Sequence, residues 1–595
     1  MISCATQIIQ ELGLLRMDKQ LVQGARYAWQ MPDSDYNQAL SLAATYNLSV
    51  PLCHTLLNRG MKDHQIIDAY LFSDKDRDIA CASLLKDAQK AVDRINQAIN
   101  KQEKILIFGD YDVDGITSSS LMMACLLPLG AQVNFYLPHR VKDGYGLSTK
   151  IVQRAADNGY KVIITVDNGT TAFEPAILAR QLGVDLIITD HHRPHDTVPD
   201  AFALVNPHQH DCNYPFKELA GVGVTFKVVS LLYQQRNLPL PEKAYELLLL
   251  GTIADVVPLT GENRFWVRHG LQWVNKFSSL SLDVLKLNGK VTQSLLTATD
   301  VGFKIAPQIN ALGRLEDPRQ GVAFLLGSEQ KETERIGSVL LHLNQTRKEV
   351  ERVIFEDVQQ LIESGKINLK EEQIILAASS NWPPGVIGLV ASRLVGQYCR
   401  PVLLFHLTSS GKAKGSCRSI EPFNMFHALQ EAGDLLDQFG GHAMAAGLAL
   451  DIKNLPRLKE LLEARARVYL KPEDLVSKLV LDAKITMQDV NKQLVHDMQL
   501  FEPFGAQNSE PKFVMQGVSL VQKPQMLKDV HLKCLVFADG IIKPLIFFNR
   551  PDLFEPLLLQ EEKPFDIAVQ ITQNSWQGKT NIELLGLDAA GVKKE

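Results

Sequence analysis

The sequence predicts an α/β protein made of a parallel-sheet lobe, a long connecting helix, a smaller α/β lobe and a C-terminal β-barrel. Between residues 104 and about 210, continuous apolar runs alternate with helical stretches, which is typical of a parallel sheet covered on both faces. A helical apolar stripe between charged faces, from Leu340 to Ile362, predicts a long helix linking two lobes. After about Val476, short strands separated by turn residues indicate a small barrel, with the OB-fold as the leading candidate.

The elements of the first lobe follow in chain order. An amphipathic helix is expected over Ala82–Asn100, ahead of the first strand. The predicted strands are Lys104–Phe108, Gln132–Leu137, Lys161–Val166, Leu186–Thr189 and Ala203–Val205. The predicted helices between them are Thr117–Leu127, Ser148–Asn158 and Ala172–Leu182. The polar stretch 363–372 marks a boundary, and a second α/β unit starts at Gln373.

Composition excludes several classes of protein. A chain of 595 residues is expected to hold about three or four domains, and 46% apolar residues are ample for their cores. No apolar run reaches the roughly 20 residues of a membrane span, and the N-terminus lacks the features of a secretory signal. Eight scattered cysteines without a CxxC pair argue against disulfides and zinc knuckles, so a cytoplasmic location is expected. The net charge of −5 leaves nucleic-acid binding to local basic patches.

The stretch around which the chain is organised is KILIFGDYDVDG, residues 104–115. A strand ends here and presents Asp110, Asp112 and Asp114, whose oxygens suit a hard divalent cation. The same D-x-D-x-D-G pattern opens an EF-hand loop, which needs a preceding helix and a Glu at its twelfth position. Here the lead-in is a strand and the twelfth residue is Leu121, so the EF-hand is excluded.

Further carboxylates and histidines follow the third and fourth predicted strands. Asp167 follows the third strand, Asp190-His191-His192 follow the fourth, and Asp255 lies farther on in GTIADVVPL. Ligands of an open parallel sheet bind beyond the carboxyl ends of its strands, so these side chains are expected to meet at one site. Taken alone, the Asp-His-His tripeptide could be a solvated loop and the GTIADVVPL carboxylate a helix cap. The joint pattern predicts a metal site.

The predicted ligand set contains only oxygen and imidazole donors, which favours Mn²⁺ or Mg²⁺ over structural zinc and suffices for two ions. The candidate metal ligands are Asp110, Asp112, Asp114, Asp167, His191, His192 and Asp255, and all except the first are also the candidate catalytic residues. Two ions roughly 3.5–4 Å apart can activate a water and stabilise the attacking and leaving oxygens at phosphorus. Asp167 is the candidate bridging carboxylate, and Asp190 is expected to orient an imidazole from behind.

Basic and hydroxyl side chains elsewhere are candidates for binding the phosphates of a substrate. The candidates are Arg140, Arg314, Ser416, Arg418, Ser419 and His442, with Lys412 and Lys414 nearby. Glycines around residues 411–419 permit close backbone approach to phosphate, although an exposed basic loop explains that segment equally well. The two outlying arginines could instead form surface ion pairs, and His442 could be structural at a tight helix start. Trp382 in NWPPG is expected in the core.

Eight motifs together resemble a known family. DYDVDG, VDNG, DHH, GTIADVVPL, INALGR, WPPGVIGLVASRL, GSCRS and GGHAMAAG occur in the order found in the DHH phosphoesterases, and more closely in their RecJ family of single-stranded-DNA exonucleases. The resemblance runs from about residue 50 to the barrel, where FEPFGAQNSEPKF is similar to that family's entry to the OB-fold. Two departures are visible: Cys417 stands where a small Gly or Ala is usual, and NWPPG replaces an HxGV-type lead-in.

The resemblance implies a domain plan and an activity. After an N-terminal region (1–80), it implies a DHH catalytic lobe (81–328), a connecting long helix (329–370), a DHHA1 substrate-binding lobe (371–470) and an OB-fold nucleic-acid-binding domain (471–595). It implies 5′-to-3′ hydrolysis of single-stranded DNA to mononucleotides, with Mn²⁺ or Mg²⁺, in DNA repair and recombination. The partners implied are single-stranded DNA, a single-strand-binding protein and a helicase, with no membrane and a monomeric chain.

The resemblance also sorts the candidate residues and leaves alternatives. The family's metal-ligand motifs fall on the carboxylates and histidines given above, and its substrate-binding motifs fall on Arg314, Ser416, Arg418 and His442. One alternative is a DHH phosphoesterase acting on short oligonucleotides or cyclic dinucleotides, against which the extra barrel argues. Another is a non-enzymatic DNA-binding subunit, against which the complete set of ligand positions argues.

Overall fold

The structure is a computed structural model that describes residues 21–139, 144, 146–327, 329–560, 563–576 and 579–592. The predicted phosphate-binding residue Arg140 lies outside the described residues. The chain forms two compact units. We call Phe72–Arg352 with Pro503–Ser509 the parallel-sheet unit, and the remaining described segments, 21–71, 353–502 and 510–592, the barrel unit. No helix in the described part of the chain is long and apolar enough to cross a membrane.

The N-terminal segment of the barrel unit, residues 21–71, contains two short strands and three helices. They are β1 (Leu21–Gln23), β2 (Ala28–Gln30), α1 (Tyr36–Tyr46), α2 (Val50–Asn58) and α3 (His64–Leu71). The Asp35 carboxylate accepts hydrogen bonds from the first backbone N–H groups of α1 and so caps that helix.

The parallel-sheet unit contains one five-stranded sheet. Its strands are β3 (Lys104–Phe108), β4 (Gln132–Tyr136), β5 (Tyr160–Val166), β6 (Asp185–Thr189) and β7 (Ala203–Val205). They are all parallel, in the order β4-β3-β5-β6-β7. The inner strands are buried along almost their whole length because helices cover both faces, which explains their continuous apolar sequence. The predicted α/β class with a parallel sheet is confirmed.

Helices make up most of the rest of this unit, and some of them cover the sheet. They are α4 (Lys75–Asp78), α5 (Ala88–Asn100), α6 (Val113–Leu126), α7 (Thr149–Asp157), α8 (Phe173–Gln181), α9 (Gly221–Gln235), α10 (Lys243–Ala254), α11 (Gly261–Val274), α12 (Leu280–Asn288), α13 (Ala298–Asp300), α14 (Ala306–Leu315) and α15 (Arg319–Leu326). One π-helical turn, Val301–Ile305, precedes α14. The helix predicted over Ala82–Asn100 starts later, at Ala88, because the left-handed backbone of Asp87 (φ 61°) interrupts it.

The chain passes from one unit to the other within the long helix α16 (Gln330–Glu363). The apolar stripe predicted a helix here, and the helix begins ten residues before the predicted start at Leu340. Its first turns are largely polar and exposed, so the stripe is not visible there.

The second α/β region of the barrel unit follows this helix. Its elements are β8 (Ile375–Ser379), α17 (Ile387–Tyr398), β9 (Val402–Leu407), β10 (Lys412–Arg418), α18 (Met425–Glu431), β11 (Leu436–His442), β12 (Ala445–Asp451) and α19 (Leu455–Tyr469). The five strands form one sheet in the order β11-β12-β10-β9-β8, with only the β8–β9 pair parallel among these described strands.

This sheet corrects two local predictions. The glycine-containing segment interpreted as a basic loop is strand β10, and GGHAMAAG belongs to the hairpin β11–β12 instead of starting a helix. In β10, Ala413 and Cys417 are buried on one face, and the polar residues next to them in the sequence point to the other face. The glycines of this segment concealed that alternation. A strand period of two is consistent with this alternation.

The C-terminal part of the barrel unit is a closed five-stranded barrel. Its elements are β13 (Lys478–Val480), β14 (Ala483–Lys484), α20 (Lys492–Phe501), β15 (Phe513–Leu520), β16 (Gln525–Leu527), β17 (His531–Ala538), β18 (Ile541–Phe547), α21 (Phe554–Leu558), β19 (Phe565–Trp576) and β20 (Lys579–Ala590). Strands β15-β19-β20-β18-β17 pair in that order, and β17 pairs back with β15 to close the ring. The predicted C-terminal barrel is therefore confirmed.

The N-terminal segment packs against this barrel, which the sequence did not predict. Strand β2 pairs with both β1 and β13. The Asp588 carboxylate, fully buried on β20, accepts hydrogen bonds from the backbone of Arg26 and Tyr27 and from the Trp29 indole. Arg59 of α2 forms an ion pair with Asp482 at 2.9 Å.

Candidate metal centre

The candidate ligands meet at the carboxyl end of the parallel sheet. Asp110 and Asp112 follow β3, Asp167 follows β5, and the DHH tripeptide follows β6; these three strands are neighbours in the sheet. Asp255 reaches the same place from the C-terminus of α10. Side chains separated by up to 145 positions in the sequence are thus gathered at one edge.

The side chains form three overlapping groups, and within each group the ligand atoms lie within 4.8 Å of one another. The groups are Asp110–Asp112–Asp167, Asp167–His191–His192 and Asp114–His191–Asp255. Asp167 and His191 each belong to two groups, so the cluster is continuous. All seven candidate ligands are members.

The DYDVDG loop is shaped by close backbone contacts. The Asp112 carboxylate accepts the Gly115 N–H at 3.1 Å and caps α6, so this helix begins four residues before its predicted start. A side chain at Gly115 would approach the Asp110 backbone to about 2.5 Å, so only glycine fits there. The Asn310 side-chain oxygen accepts the Val113 N–H at 3.2 Å and holds the loop from α14.

Asp167 has an unusual backbone conformation. Its φ of 61° lies in the left-handed region, which Asp tolerates better than most residues. Its N–H donates to the Thr189 carbonyl at 3.0 Å, and the neighbouring Asn168 amide donates to the carbonyl oxygens of Phe108 and Val166. These bonds join three strand ends and hold the buried Asp167 in the centre of the cluster.

Asp190 orients the two histidines. Its carboxylate accepts the backbone N–H groups of Thr170, His191 and His192, and lies 2.7 Å from the His192 Nδ1. This leaves Nε2 of His192 as the candidate ligand atom. Burial opposes the charges of this pair. The hydrogen bond to Asp190 and nearby negative charges nevertheless raise the pKa of His192 to about 9, and the same bond holds the pKa of Asp190 well below its usual value. A cation that binds at Nε2 would therefore displace a proton from His192.

His191 presents a buried nitrogen to three carboxylates. Its Nε2 lies 3.3 Å from Asp167, 3.6 Å from Asp255 and 3.9 Å from Asp114, measured to the nearest oxygen. This nitrogen has no hydrogen-bond partner among the described residues. Burial and the neighbouring His192 lower the pKa of His191 to about 4, so the ring is neutral and able to ligate a metal.

The carboxylates destabilise one another. Burial and the charge of Asp112 raise the pKa of Asp114 to about 7, against the effect of hydrogen bonds from Val222 and Gly221. Burial and neighbouring carboxylates raise the pKa of Asp167 and of Asp255 well above the ordinary value. Several ionised carboxylates at this spacing need positive charge between them, and divalent cations supply it with oxygen and imidazole ligands. The residues therefore fit a site for divalent ions.

The candidate phosphate-binding residues are divided between the two units. In the parallel-sheet unit, the half-buried Arg314 ends the INALGR segment on α14, four residues after Asn310. In the barrel unit, Arg418 Nη1 lies 3.3 Å from the Ser416 hydroxyl, and both side chains crowd Gly388 in the first turn of α17. Exposed His442 ends β11.

Other residues singled out in this region have structural contacts. Ser419 is buried and its hydroxyl donates to the Phe423 carbonyl at 2.6 Å, so it is a poor phosphate donor. Cys417 is fully buried, on the face of β10 opposite Ser416. Lys412 pairs with Asp437 at 2.9 Å, and Trp382 is buried with its indole donating to Asp357.

Sequence reasoning missed the residues that support the ligands. Asn310, Gly221 and Val222 contact the aspartate loop or Asp114, yet none of them is a metal-type ligand. The glycines of AGVGV were a possible signal, since glycine often marks a close approach of backbone to another group. Nothing local in the sequence indicates which group it approaches.

Comparisons with known proteins agree with this geometry. The family models described as "DHH family, N-terminal domain", "DHHA1 domain" and "RecJ OB domain" match residues 104–252, 371–467 and 481–588. The single-stranded-DNA-specific exonuclease RecJ of Bacillus subtilis is 34% identical over 569 residues, 95% of this chain and 71% of that protein. Its Escherichia coli counterpart is 34% identical over 524 residues, 84% of this chain and 90% of that protein.

Solved structures show the same fold. The crystal structure of RecJ from Thermus thermophilus in complex with Mn²⁺ has a TM-score of 0.80 and 27% identity, covering 95% of this chain and 80% of that one. The Mg²⁺ complex from the same organism has a TM-score of 0.73 and 26% identity, covering 95% and 79%. Fold and domain matches define the class as a DHH-family protein with a DHHA1 domain. Within that class, the chain belongs to the RecJ family.

Proposed function

We propose that this chain is a metal-dependent exonuclease specific for single-stranded DNA. The relatives that share about a third of its residues are named for that activity, and the similar solved structures contain Mn²⁺ or Mg²⁺. The observation that carries the proposal is the continuous cluster of carboxylates and imidazoles at the carboxyl end of the sheet. A binding subunit would have no need of so costly a cluster of buried charges.

We assign the ligands to two ion positions that share Asp167. Asp110, Asp112 and Asp167 would hold one ion, because their oxygens form one group. His191 and Asp167 would hold the second, together with Asp114, His192 and Asp255. Bound there, two divalent ions supply an activated water and neutralise charge that develops on the phosphate oxygens.

The chain's own residues supply orientation. The Asp190–His192 hydrogen bond fixes the orientation of the imidazole ring. The ligand nitrogen of His192 is therefore already oriented toward the ion position before a cation binds. The bonds of Asp167 and Asn168 to adjacent strand ends keep the shared carboxylate in place. Arg314, Arg418 and Ser416 would bind backbone phosphates, which carry no base sequence, so binding through them is independent of sequence.

The finer properties follow from the family resemblance. We propose 5′-to-3′ polarity with mononucleotide products, and a role in DNA repair and recombination in the cytoplasm. A monomeric chain that cooperates with a single-strand-binding protein and a helicase is part of the same proposal. The closed five-stranded barrel supports a polymeric substrate, since barrels of this type bind single strands. Cyclic dinucleotides or very short oligonucleotides would leave the barrel without a role.

The test is a Mn²⁺-dependent time course on a 3′-labelled single strand, with Asp167→Asn as the variant. Asn tolerates the left-handed backbone at this position but removes the shared charge. Hydrolysis is expected to fall about 100-fold or more, because loss of one ion forfeits several kcal/mol of transition-state stabilisation. Asp157→Asn, an exposed carboxylate at the end of α7, is the matched control and should behave as wild type.

A ladder that shortens from the 5′ end on the single strand, with the matching duplex intact, is the expected wild-type result. Wild-type-like cleavage by Asp167→Asn would contradict the ligand assignment. An intact strand with hydrolysis of a cyclic dinucleotide would contradict the proposed substrate but leave the metal site in place.

A further inference from the structure

Helix α9 begins at the metal centre without a cap of its own. The residue before it, Ala220, has no side chain that could accept the first N–H groups of the helix. The Asp114 carboxylate takes that role from another helix. Its Oδ2 accepts the Gly221 N–H at 2.6 Å and its Oδ1 accepts the Val222 N–H at 2.8 Å. Both oxygens of one candidate ligand are therefore held by backbone donors.

Gly221 also lies where no side chain fits. A Cβ there would be 2.6 Å from Asp167 Oδ1, 2.7 Å from Asp167 Cβ and 2.9 Å from Asp114 Oδ2. Real Cβ contacts are not that short, so the glycine allows Asp114 and Asp167 to approach the same point of the helix. Gly223, one residue beyond Val222, is different, because a Cβ there would make only ordinary contacts of 3.4 Å or more with Leu219.

A buried ion pair holds α9 in position behind this contact. Lys227, six residues after Gly221, lies 2.6 Å from Glu262 of α11, and the two side chains are 4% and 3% exposed. The Tyr214 hydroxyl donates to the same carboxylate at 2.8 Å. Sliding α9 away from Asp114 would separate buried charges, which is costly. The start of α9 is therefore a rigid reference point for the centre.

We infer that Gly221 and Val222 are positioning residues of the metal centre: their N–H groups fix the Asp114 carboxylate, and the missing side chain of Gly221 sets the separation of Asp114 from Asp167. This inference rests on the proposed function and names residues beyond its ligands. Neither residue contacts substrate, so their effect reaches the reaction through the two carboxylates. A shift of either carboxylate alters the affinity for the second ion first.

The experiment titrates the full chain with Mn²⁺, following free Mn²⁺ by electron paramagnetic resonance, for wild type, Gly221→Ala and Gly223→Ala. Thermal unfolding in EDTA is measured beside it. In Gly221→Ala, the affinity for Mn²⁺ is expected to fall about 10- to 100-fold, as for other residues that orient metal ligands. Its unfolding midpoint in EDTA is expected to fall by only about a few degrees, because the added Cβ crowds the Asp167 and Asp114 side chains, and the variant stays folded at the titration temperature. Gly223→Ala should match wild type in both measurements.

The outcomes separate this inference from the proposed function. If wild type binds no Mn²⁺, the proposed function fails. If wild type binds Mn²⁺ and Gly221→Ala binds it equally well, only the positioning role is overturned. A loss of Mn²⁺ affinity that only matches the fraction of Gly221→Ala unfolded at the titration temperature would also overturn it, since a merely structural glycine behaves in that way.

A second variant keeps the test decisive if Gly221→Ala does not fold. Asp114→Ala removes the acceptor of both N–H groups, and hydrogen exchange at the start of α9 should then accelerate at least about tenfold while the rest of that helix stays protected. Unchanged exchange at Gly221 and Val222 would show that Asp114 does not hold them, and would overturn the inference.

Discussion

At the scale of single residues, the centre contains two left-handed residues of different character. Asp167 (φ 61°) is of a type that tolerates this conformation, whereas Val256 (φ 60°), directly after Asp255, is β-branched and does not. Val256 is 70% exposed, so side-chain packing does not offset its backbone strain. Such strain costs about 1–3 kcal/mol and concentrates at functional sites. We interpret the strained backbone of Val256 as a consequence of placing the neighbouring Asp255 at the metal centre.

Val256→Gly is therefore expected to stabilise the protein. Relief of the strain should exceed the extra entropy of glycine in the unfolded chain, for a net gain of about 0.5–1 kcal/mol in the free energy of unfolding. The measurement is denaturant unfolding in EDTA. Val256→Ala keeps a side chain at the same φ and should gain less. A loss of stability in Val256→Gly would contradict this reading.

Some residues of the metal centre could be predicted from the sequence, and others could not. Asp112, Asp167 and His191 could be predicted, because a carboxylate or imidazole directly after a buried strand is a local signal with a known place in the fold. The left-handed φ of Val256 leaves no local mark. The orienting contacts of Asn310 and Gly221 depend on partners about 200 and 107 positions away, so the sequence around them carries no trace of the contact.

At the scale of elements, α14 supports the aspartate loop. Asn310 accepts the Val113 N–H, and a Cβ on Gly313 would overlap the Tyr111 carbonyl oxygen, so the helix and loop are in direct backbone contact. The INALGR segment was predicted only as a source of Arg314 for phosphate. The structure adds a supporting role for its asparagine and glycine.

Gly313→Ala is expected to be destabilising, because the carbonyl it would overlap belongs to the backbone and cannot turn away. Overpacking of this kind costs typically about 1–3 kcal/mol of the free energy of unfolding. The matched control is Gly302→Ala, where a Cβ would meet the Ile253 side chain at an ordinary 3.5 Å. Denaturant unfolding of both variants checks the prediction, and equal stabilities would contradict it.

Glycine-rich elements show why some secondary structure was misread. Strand β10 alternates buried Ala413 and Cys417 with polar residues that include Ser416, so its period-two pattern is present. Gly411, directly before the strand, and Gly415, at its centre, suggested a loop instead. The hairpin β11–β12 is rich in small residues, which likewise do not indicate a strand clearly. Strands β3, β5 and β6 are continuous apolar runs and could be assigned without ambiguity.

At the scale of the whole molecule, the N-terminal segment is part of the barrel unit. Asp588, buried on β20, receives hydrogen bonds from residues 26, 27 and 29 and an ion pair with Arg550 at 2.9 Å. Residues 26, 27 and 29 lie more than 550 positions from Asp588 in the sequence, which is why the first residues could not be assigned a place. The barrel, by contrast, could be predicted from its regularly spaced short strands.

Asp588→Ala is expected to lower the stability of the barrel unit by about 3–5 kcal/mol, because it removes the fully buried one of the two carboxylates that pair with Arg550 and also removes the acceptor of the Trp29 indole N–H. Asp552→Ala is the matched control, because Asp552 pairs with the same arginine at 2.8 Å but is half exposed. Its effect should be about 1 kcal/mol or less. Unfolding followed by tryptophan fluorescence, with Mn²⁺ binding as a readout of the parallel-sheet unit, tests this. Equal effects of the two variants would contradict it.

We propose that a pair of divalent ions shares Asp167. The most direct measurement is anomalous diffraction at the manganese edge from crystals of the full chain grown with Mn²⁺. Two peaks are expected at the carboxyl end of the parallel sheet, both with Asp167 as a ligand. A single peak, or two peaks of which only one is bound by Asp167, would contradict it.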